Sequence, residues 1–201
     1  MAHELDSRRF LVGNNCVAIH CSRKLDLPNQ SPFAWAFTCP DDFVRIMDNW
    51  DRMDWGSGPD IHTVTSRYMD GYYGGEFPPV DREFYWEGVW HDTDGNGYPV
   101  LYPHLDLGAE AGRETLRRRT DRMLALMEGG ATPHFCLACD NSTSAHDWPE
   151  DRVQAFRERD NASIVWFGDT SQEGKLRGFR TAEDMMRLLV SKGIVHDNCH
   201  G

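Results

Sequence analysis

The sequence predicts an α/β fold: one domain over residues 1–201, with a mixed central sheet flanked by helices. Three observations carry this. At 201 residues and 40% hydrophobic composition, the chain is long and apolar enough to bury one full core. Short β-prone runs alternate with helical periodicity in the first and last thirds, the pattern of strands packed against helices. The chain shows neither an internal repeat nor a linker-like stretch that would divide it.

The elements follow in order. RRFLV (8–12) reads as a strand ending at Gly13. A helix follows, with Asn14 or Asn15 as N-cap and Val17, Cys21 and Leu25 spaced along one face. After a loop with Pro28, the clearest helix starts at Pro40, which suits the first helical position. Asp41 and Asp42 complement the dipole there, and Phe43, Ile46, Met47 and Trp50 make an apolar stripe. Residues 54–82, rich in Gly, Pro, Tyr and Asp, read as irregular. EFYWEGVWH, the turn-forming DTDGNG and YPVLYP together read as a β-hairpin. A long helix is predicted over 109–128, closed by Gly129-Gly130, with Leu116, Met123, Leu124 and Met127 inward. HFCLAC (134–139) and ASIVWF (162–167) read as strands. Helices are predicted from Pro149 to about Arg159 and from Thr181 to about Lys192, then an end strand at GIVH.

Composition excludes some function classes. A formal charge of −11 opposes a general nucleic-acid or anionic-membrane surface, since phosphate binding needs clustered Lys and Arg. The Arg117-Arg118-Arg119 run lies in a predicted helix and reads as a solvated face. No apolar run approaches a membrane span, and the opening MAHELDSRRF lacks the apolar core of a secretory signal. The expectation is a cytoplasmic protein with no nucleic-acid or membrane partner, in which the six cysteines (16, 21, 39, 136, 139 and 199) are reduced thiols.

Cys16 is the leading chemical candidate. A thiol in the first turn of a helix faces unpaired N–H groups and the positive dipole end, both of which favour thiolate. The same N–H groups can stabilise an oxyanion. The structural alternative is a buried cysteine beside a helix cap; Cys21, one turn on, reads as core. A thiol nucleophile needs a base, and among nine histidines His91 is best placed, at a strand end before Asp92 and a tight turn. His104, at the far end of the hairpin, is the runner-up.

Metal chemistry reads less well. His134, Cys136 and Cys139, with Cys199-His200, could assemble a zinc site, but Cys136 sits inside a probable strand and only one CxxC occurs. Asp92-Thr93-Asp94-Gly95-Asn96-Gly97 resembles the start of a calcium loop, yet Pro103 stands where the closing bidentate carboxylate belongs; a hairpin turn is the better reading. No metal and no cofactor is expected.

Taken together, Gly13-Asn14-Asn15-Cys16, Leu25-Asp26-Leu27, Ser31-Pro32-Phe33-Ala34-Trp35, His91-Asp92 and the Arg-rich helix (Arg117 to Arg122) before HFCLAC resemble the papain-like cysteine peptidase family of bacteria and viruses, over roughly residues 10–140. The resemblance implies a papain-like Cys-His thiol enzyme acting on a peptide or on another acyl or amide substrate. Cys16 would then be the nucleophile and His91 the base. Asn15 and Asn14 lie beside the oxyanion, and Asp92, Asp106 or Asp140 orients the histidine. One departure is Ala34, where that family commonly has Asp. A catalytically inactive binding module and a zinc-stabilised protein are the rival readings.

Overall fold

The structure, a computed structural model, describes residues 9–14, 17–24, 31–65, 84–138 and 164–167, with isolated positions 154, 158, 187, 190 and 191. In chain order the elements are β1 (Arg9–Gly13), α1 (Val17–Lys24), α2 (Pro40–Asp48), a 3-10 turn (Trp50–Arg52), β2 (Asp60–Thr65), β3 (Phe84–His91), β4 (Gly97–Tyr102), α3 (Glu110–Glu128), β5 (Thr132–Ala138) and β6 (Ile164–Phe167). The fold is mixed α/β.

β1, β5 and β6 form a parallel sheet in the order β1-β5-β6, with Val12 opposite Phe135 and Phe135 opposite Ile164. Phe10, Val12 and Phe135 join the main core, while Leu11, His134 and Cys136 alternate with them and are buried as well. Burial on both faces is what a parallel sheet requires. α1 packs along β1 and buries Ala18, Ile19 and Ser22, whose hydroxyl donates to the Ala18 carbonyl at 2.9 Å. Cys21 falls in α1, and Leu25 lies outside the described residues.

β2, β3 and β4 form an antiparallel sheet in which Trp90 faces Tyr98 and Trp86 faces Tyr102. The hairpin reading of 83–102 holds. Gly95 takes φ +82° in the turn, a conformation that strains residues with a Cβ.

Two residues join the sheets. Phe37 exchanges both backbone hydrogen bonds with Leu101 of β4, each 2.8 Å. Thr38, next in sequence, donates its N–H to the Asn14 carbonyl at 2.7 Å, and Asn14 N–H reaches Cys136 O at 3.4 Å. Phe37–Thr38 thus ties the two sheets together by backbone hydrogen bonds, but they remain two separate three-stranded sheets, one parallel and one antiparallel, in place of the one mixed central sheet that the sequence predicts.

α2 starts at Pro40 with Asp41 and Asp42 in its first turn, as its sequence dictates, and it buries Phe43, Ile46 and Met47. Phe33 fills the space between α2 and the following turn: its ring meets Phe43 edge-on at 5.9 Å and Trp55 likewise at 5.9 Å. α3 buries Leu116, Thr120 and Met123, with Leu124 and Met127 half-buried. Gly112 is obligatory in α3, because a Cβ there would stand 1.8 Å from the Asp106 carbonyl oxygen.

One reading is corrected. The irregular stretch predicted over 54–82 contains a strand, β2, paired along its length with β3. It is an edge strand in which only Val64 is buried, so no hydrophobic alternation marks it and cross-strand pairing fixes it instead. Gln154 and Glu158, and Arg187, Val190 and Ser191, are helical where helices are predicted; the predicted GIVH strand lies outside the described residues. Among the described residues no helix is long and apolar enough to cross a membrane.

Candidate functional site

The end of β1 is tightly built. Asn14 is buried, its carbonyl accepts from Thr38, and its Nδ2 donates to the Thr38 carbonyl at 3.4 Å. α1 then begins at Val17, one residue after Cys16. Asn15 and Cys16 themselves lie outside the described residues, as do Asp140, Cys139, Cys199 and His200. A chain that leaves a parallel strand and enters a helix within three residues directs backbone N–H groups toward the strand's C-terminal edge, where α/β folds commonly place their ligands.

His91 closes β3 opposite Gly97. Its carbonyl accepts the Asp54 N–H at 2.9 Å, and the neighbouring Asp92 bridges to Met53, so the backbone at this position is held from two sides. The half-exposed ring does not meet Asp92. Its Nε2 lies 3.0 Å from Oδ2 of Asp60, the first residue of β2. Asp60 lies opposite Val89, on the same sheet face as His91, which explains the pairing.

Asp92 points to the other face and organises the turn. Its carboxylate accepts from the backbone N–H groups of Asp94 (3.0 Å) and Asn96 (2.9 Å), from Asn96 Nδ2 (2.9 Å) and from the Tyr98 hydroxyl (2.7 Å). The Asn96 side-chain hydrogen bond holds the carboxyl below the usual carboxylate range against the opposing push of burial, with Tyr98 and the nearby Arg52 adding to the lowering. Arg52 pairs with Asp94. The loop that resembles a calcium site is thus satisfied by its own amides and one guanidinium. Asp106 likewise caps its own loop, accepting from Gly108 N–H at 3.0 Å.

His104 stands at the opposite end of the hairpin. Its ring meets Trp35 edge-on at 5.9 Å, and the Arg23 guanidinium of α1 covers the same Trp35 ring at 4.9 Å. Trp35 adopts φ +60°, a left-handed conformation that a bulky residue holds only when its surroundings enforce it. Here Ala34 N–H bonds Ser31 O, Ala36 N–H bonds Phe33 O, and the Ala34 carbonyl takes Arg119 Nη1 at 2.6 Å. Arg117 and Arg118 are exposed as predicted, whereas Arg119 is half-buried and carries this contact.

The register separates the two histidines. Leu101, the residue tied through Phe37–Thr38 to Asn14, lies four residues along β4 from Gly97, the partner of His91. That is about 14 Å along the strand at ~3.4 Å per residue. His104 follows Leu101 on the side bounded by Trp35 and α1.

One pair escaped the sequence reading. His62 Nε2 lies 2.8 Å from Oε1 of Glu87, a carboxylate whose side chain is only 3% exposed. The two are direct cross-strand partners. Nothing in either local stretch signals it; the β2–β3 register is needed. His134 and Cys136 are buried in β5, and among the described residues no three His, Cys, Asp or Glu groups converge to hold a metal ion.

No protein-family model matches the chain, and no curated protein matches it either.

Proposed function

We propose that this chain is a papain-like cysteine hydrolase or acyltransferase acting on an amide or thioester, with Cys16 as nucleophile and a histidine as base. The observation that carries the reading is the β1–α1 junction: a parallel strand, a buried and doubly bonded Asn14, and a helix starting one residue after the thiol.

In the reaction, histidine takes the Cys16 proton and the thiolate attacks the carbonyl carbon. The resulting oxyanion is stabilised by N–H groups at the helix start, with Asn15 beside it. The protonated imidazole gives its proton to the leaving amine or thiol, which leaves an acyl-thioester on Cys16. Water, or an acceptor in the transferase, then attacks that thioester and regenerates the thiol. His91 is the first assignment for the base, and Asp60 rather than Asp92 is its orienting carboxylate. His104 is a second assignment, favoured by its contact with Trp35, the ring that also meets α1. A reducing, cytoplasmic setting suits such a thiol.

The test is alkylation by iodoacetamide near neutral pH, followed residue by residue, with turnover of a small thioester measured in parallel. Cys16 is expected to react fastest, Cys16→Ser to abolish turnover, and either His91→Ala or His104→Ala to slow both reactions at least tenfold. Equal labelling of all six thiols in the folded protein, with no thioester turnover, overturns the enzyme in favour of a binding module. Stoichiometric zinc in protein purified without added metal supports the zinc-stabilised reading instead.

A further inference from the structure

Gly97 faces His91 directly across the β3–β4 ladder. Its backbone does not call for a glycine: the left-handed region is taken by Gly58, Gly95 and Gly130, and Gly97 stays outside it. What the position provides is space, and that space lies against the histidine. A Cβ at Gly97 would stand 3.7 Å from Cε1 and 3.9 Å from Nδ1 of His91, and 2.9 Å from a Val89 methyl. The first two are ordinary contacts, and the third is met by a shift of the half-buried Val89 side chain. Nothing here forbids a side chain in the way that the Asp106 carbonyl forbids one at Gly112. A glycine in a strand weakens it and often marks the place where another group comes close.

The ring of His91 lies across β3, from Asp60 on one neighbouring strand to Gly97 on the other. On the β2 side its Nε2 is 3.0 Å from Oδ2 of Asp60. An ionised carboxylate only accepts hydrogen bonds, so Nε2 carries the ring proton and Nδ1 the lone pair. Nδ1 is on the ring edge that overhangs Gly97, and it has no hydrogen-bond partner among the described residues. Both ends of this arrangement are held. The Asp54 N–H bonds the His91 carbonyl, and the Asp92 carboxylate fixes the turn leading to Gly97 through the N–H groups of Asp94 and Asn96.

We propose that Gly97 is the access residue of His91: its bare backbone keeps open the path to Nδ1, the nitrogen that Asp60 leaves unprotonated by holding Nε2–H. The proposal rests on the reading of His91 as the base. In that reaction the S–H bond breaks, an Nδ1–H bond forms and the electron pair stays on sulfur. The Nε2–H bond to Asp60 is kept throughout. Gly97 acts through His91 and touches no reacting atom, so it is a positioning residue.

Two measurements test this, and neither needs the thiol. The first is the 15N shift of each His91 ring nitrogen at about pH 8, above the ordinary imidazole range. The proton is expected on Nε2 in wild type, and shared between the two nitrogens in Asp60→Ala. The second is carbethoxylation by diethylpyrocarbonate, which attacks an unprotonated ring nitrogen. The exposed His62 on the same sheet face serves as internal reference. Gly97→Ala should slow His91 labelling, and Gly97→Val, whose branches fill the space within hydrogen-bond reach of Nδ1, should slow it about tenfold or more. The His62 rate should not change. A wild-type proton on Nδ1, a tautomer unaffected by Asp60→Ala, or undiminished His91 labelling in folded Gly97→Val overturns the proposal. If Gly97→Val does not fold, the Gly97→Ala rate decides. Thioester turnover should fall in parallel with labelling. Absent turnover in a wild type that shows the expected tautomer and shielding rejects the thiol chemistry and not the assignment of Gly97.

Discussion

Asn14 and Thr38 hold each other twice: Thr38 N–H to the Asn14 carbonyl at 2.7 Å, and Asn14 Nδ2 to the Thr38 carbonyl at 3.4 Å. This contact fixes the end of β1 and closes the gap between the sheets. Asn14→Ala removes the side-chain half and leaves a buried carbonyl short of a donor. The expected loss is about 1–2 kcal/mol, a fall of roughly 3–6 °C in Tm for a chain of this size. Thr38→Val should do the opposite. The Thr38 hydroxyl is buried with no hydrogen-bond partner among the described residues, so a methyl group in its place costs nothing polar. A Thr38→Val variant that melts well below wild type would overturn that reading.

Two buried aspartates should give opposite pH signatures. Asp92 has a lowered folded pKa, mainly through Asn96, so its stabilisation is present above the ordinary carboxylate pKa and is lost as pH falls through the folded value. Asp42 is raised, chiefly by burial and against its hydrogen bond from Arg45, so it favours the fold while protonated and loses that contribution as pH rises past the unfolded pKa. Denaturant midpoints between about pH 3 and 6 check this. Asp92→Asn should flatten the acid loss of stability, and Asp42→Asn should steepen it.

Trp90 Nε1 donates to the Tyr102 hydroxyl at 2.9 Å inside the core, and both residues are almost fully enclosed. Burial keeps the Tyr102 phenol above its ordinary pKa, so it is a neutral acceptor across the working range. Tyr102→Phe keeps the ring and strands the indole N–H. A loss of about 1–3 kcal/mol is expected in equilibrium unfolding. A neutral result would mean that the indole finds another acceptor.

These partners show what was legible in the sequence. α2 was readable because Pro40, Asp41, Asp42 and the stripe from Phe43 to Trp50 all act within one helix. The hairpin was readable because DTDGNG carries its own turn chemistry, down to the Asp92 side chain that caps it. β2 was not, because a solvent-facing edge strand has no apolar alternation to show. The partner of His91 was hidden for the same reason. Neighbours in sequence pointed to Asp92, but adjacent strand residues face opposite ways, and the carboxylate that arrives is 31 positions away. His62 and Glu87 meet only once that register is known.

The last prediction concerns position 34, where the resembled family commonly carries Asp. Ala34 is buried, and its carbonyl accepts from Arg119, whose guanidinium is partly buried and held below its ordinary pKa by that burial. A carboxylate introduced here therefore meets a cation already delivered to the same residue. Ala34→Asp should cost little more than the uncharged Ala34→Asn, within about 1 kcal/mol. Ala34→Asp combined with Arg119→Met leaves a buried charge without its partner and should cost about 3 kcal/mol or more. Wild type, Ala34→Asp, Arg119→Met and the double variant make a double-mutant cycle whose coupling term isolates the pair from the steric cost of the larger side chain. Cys16 alkylation measured on the same proteins gives a second readout. A faster thiol in Ala34→Asp, lost again with Arg119→Met, ties position 34 to the nucleophile. An unchanged rate in a well-folded Ala34→Asp removes the position from the site and leaves its role to the packing of the turn that carries Trp35.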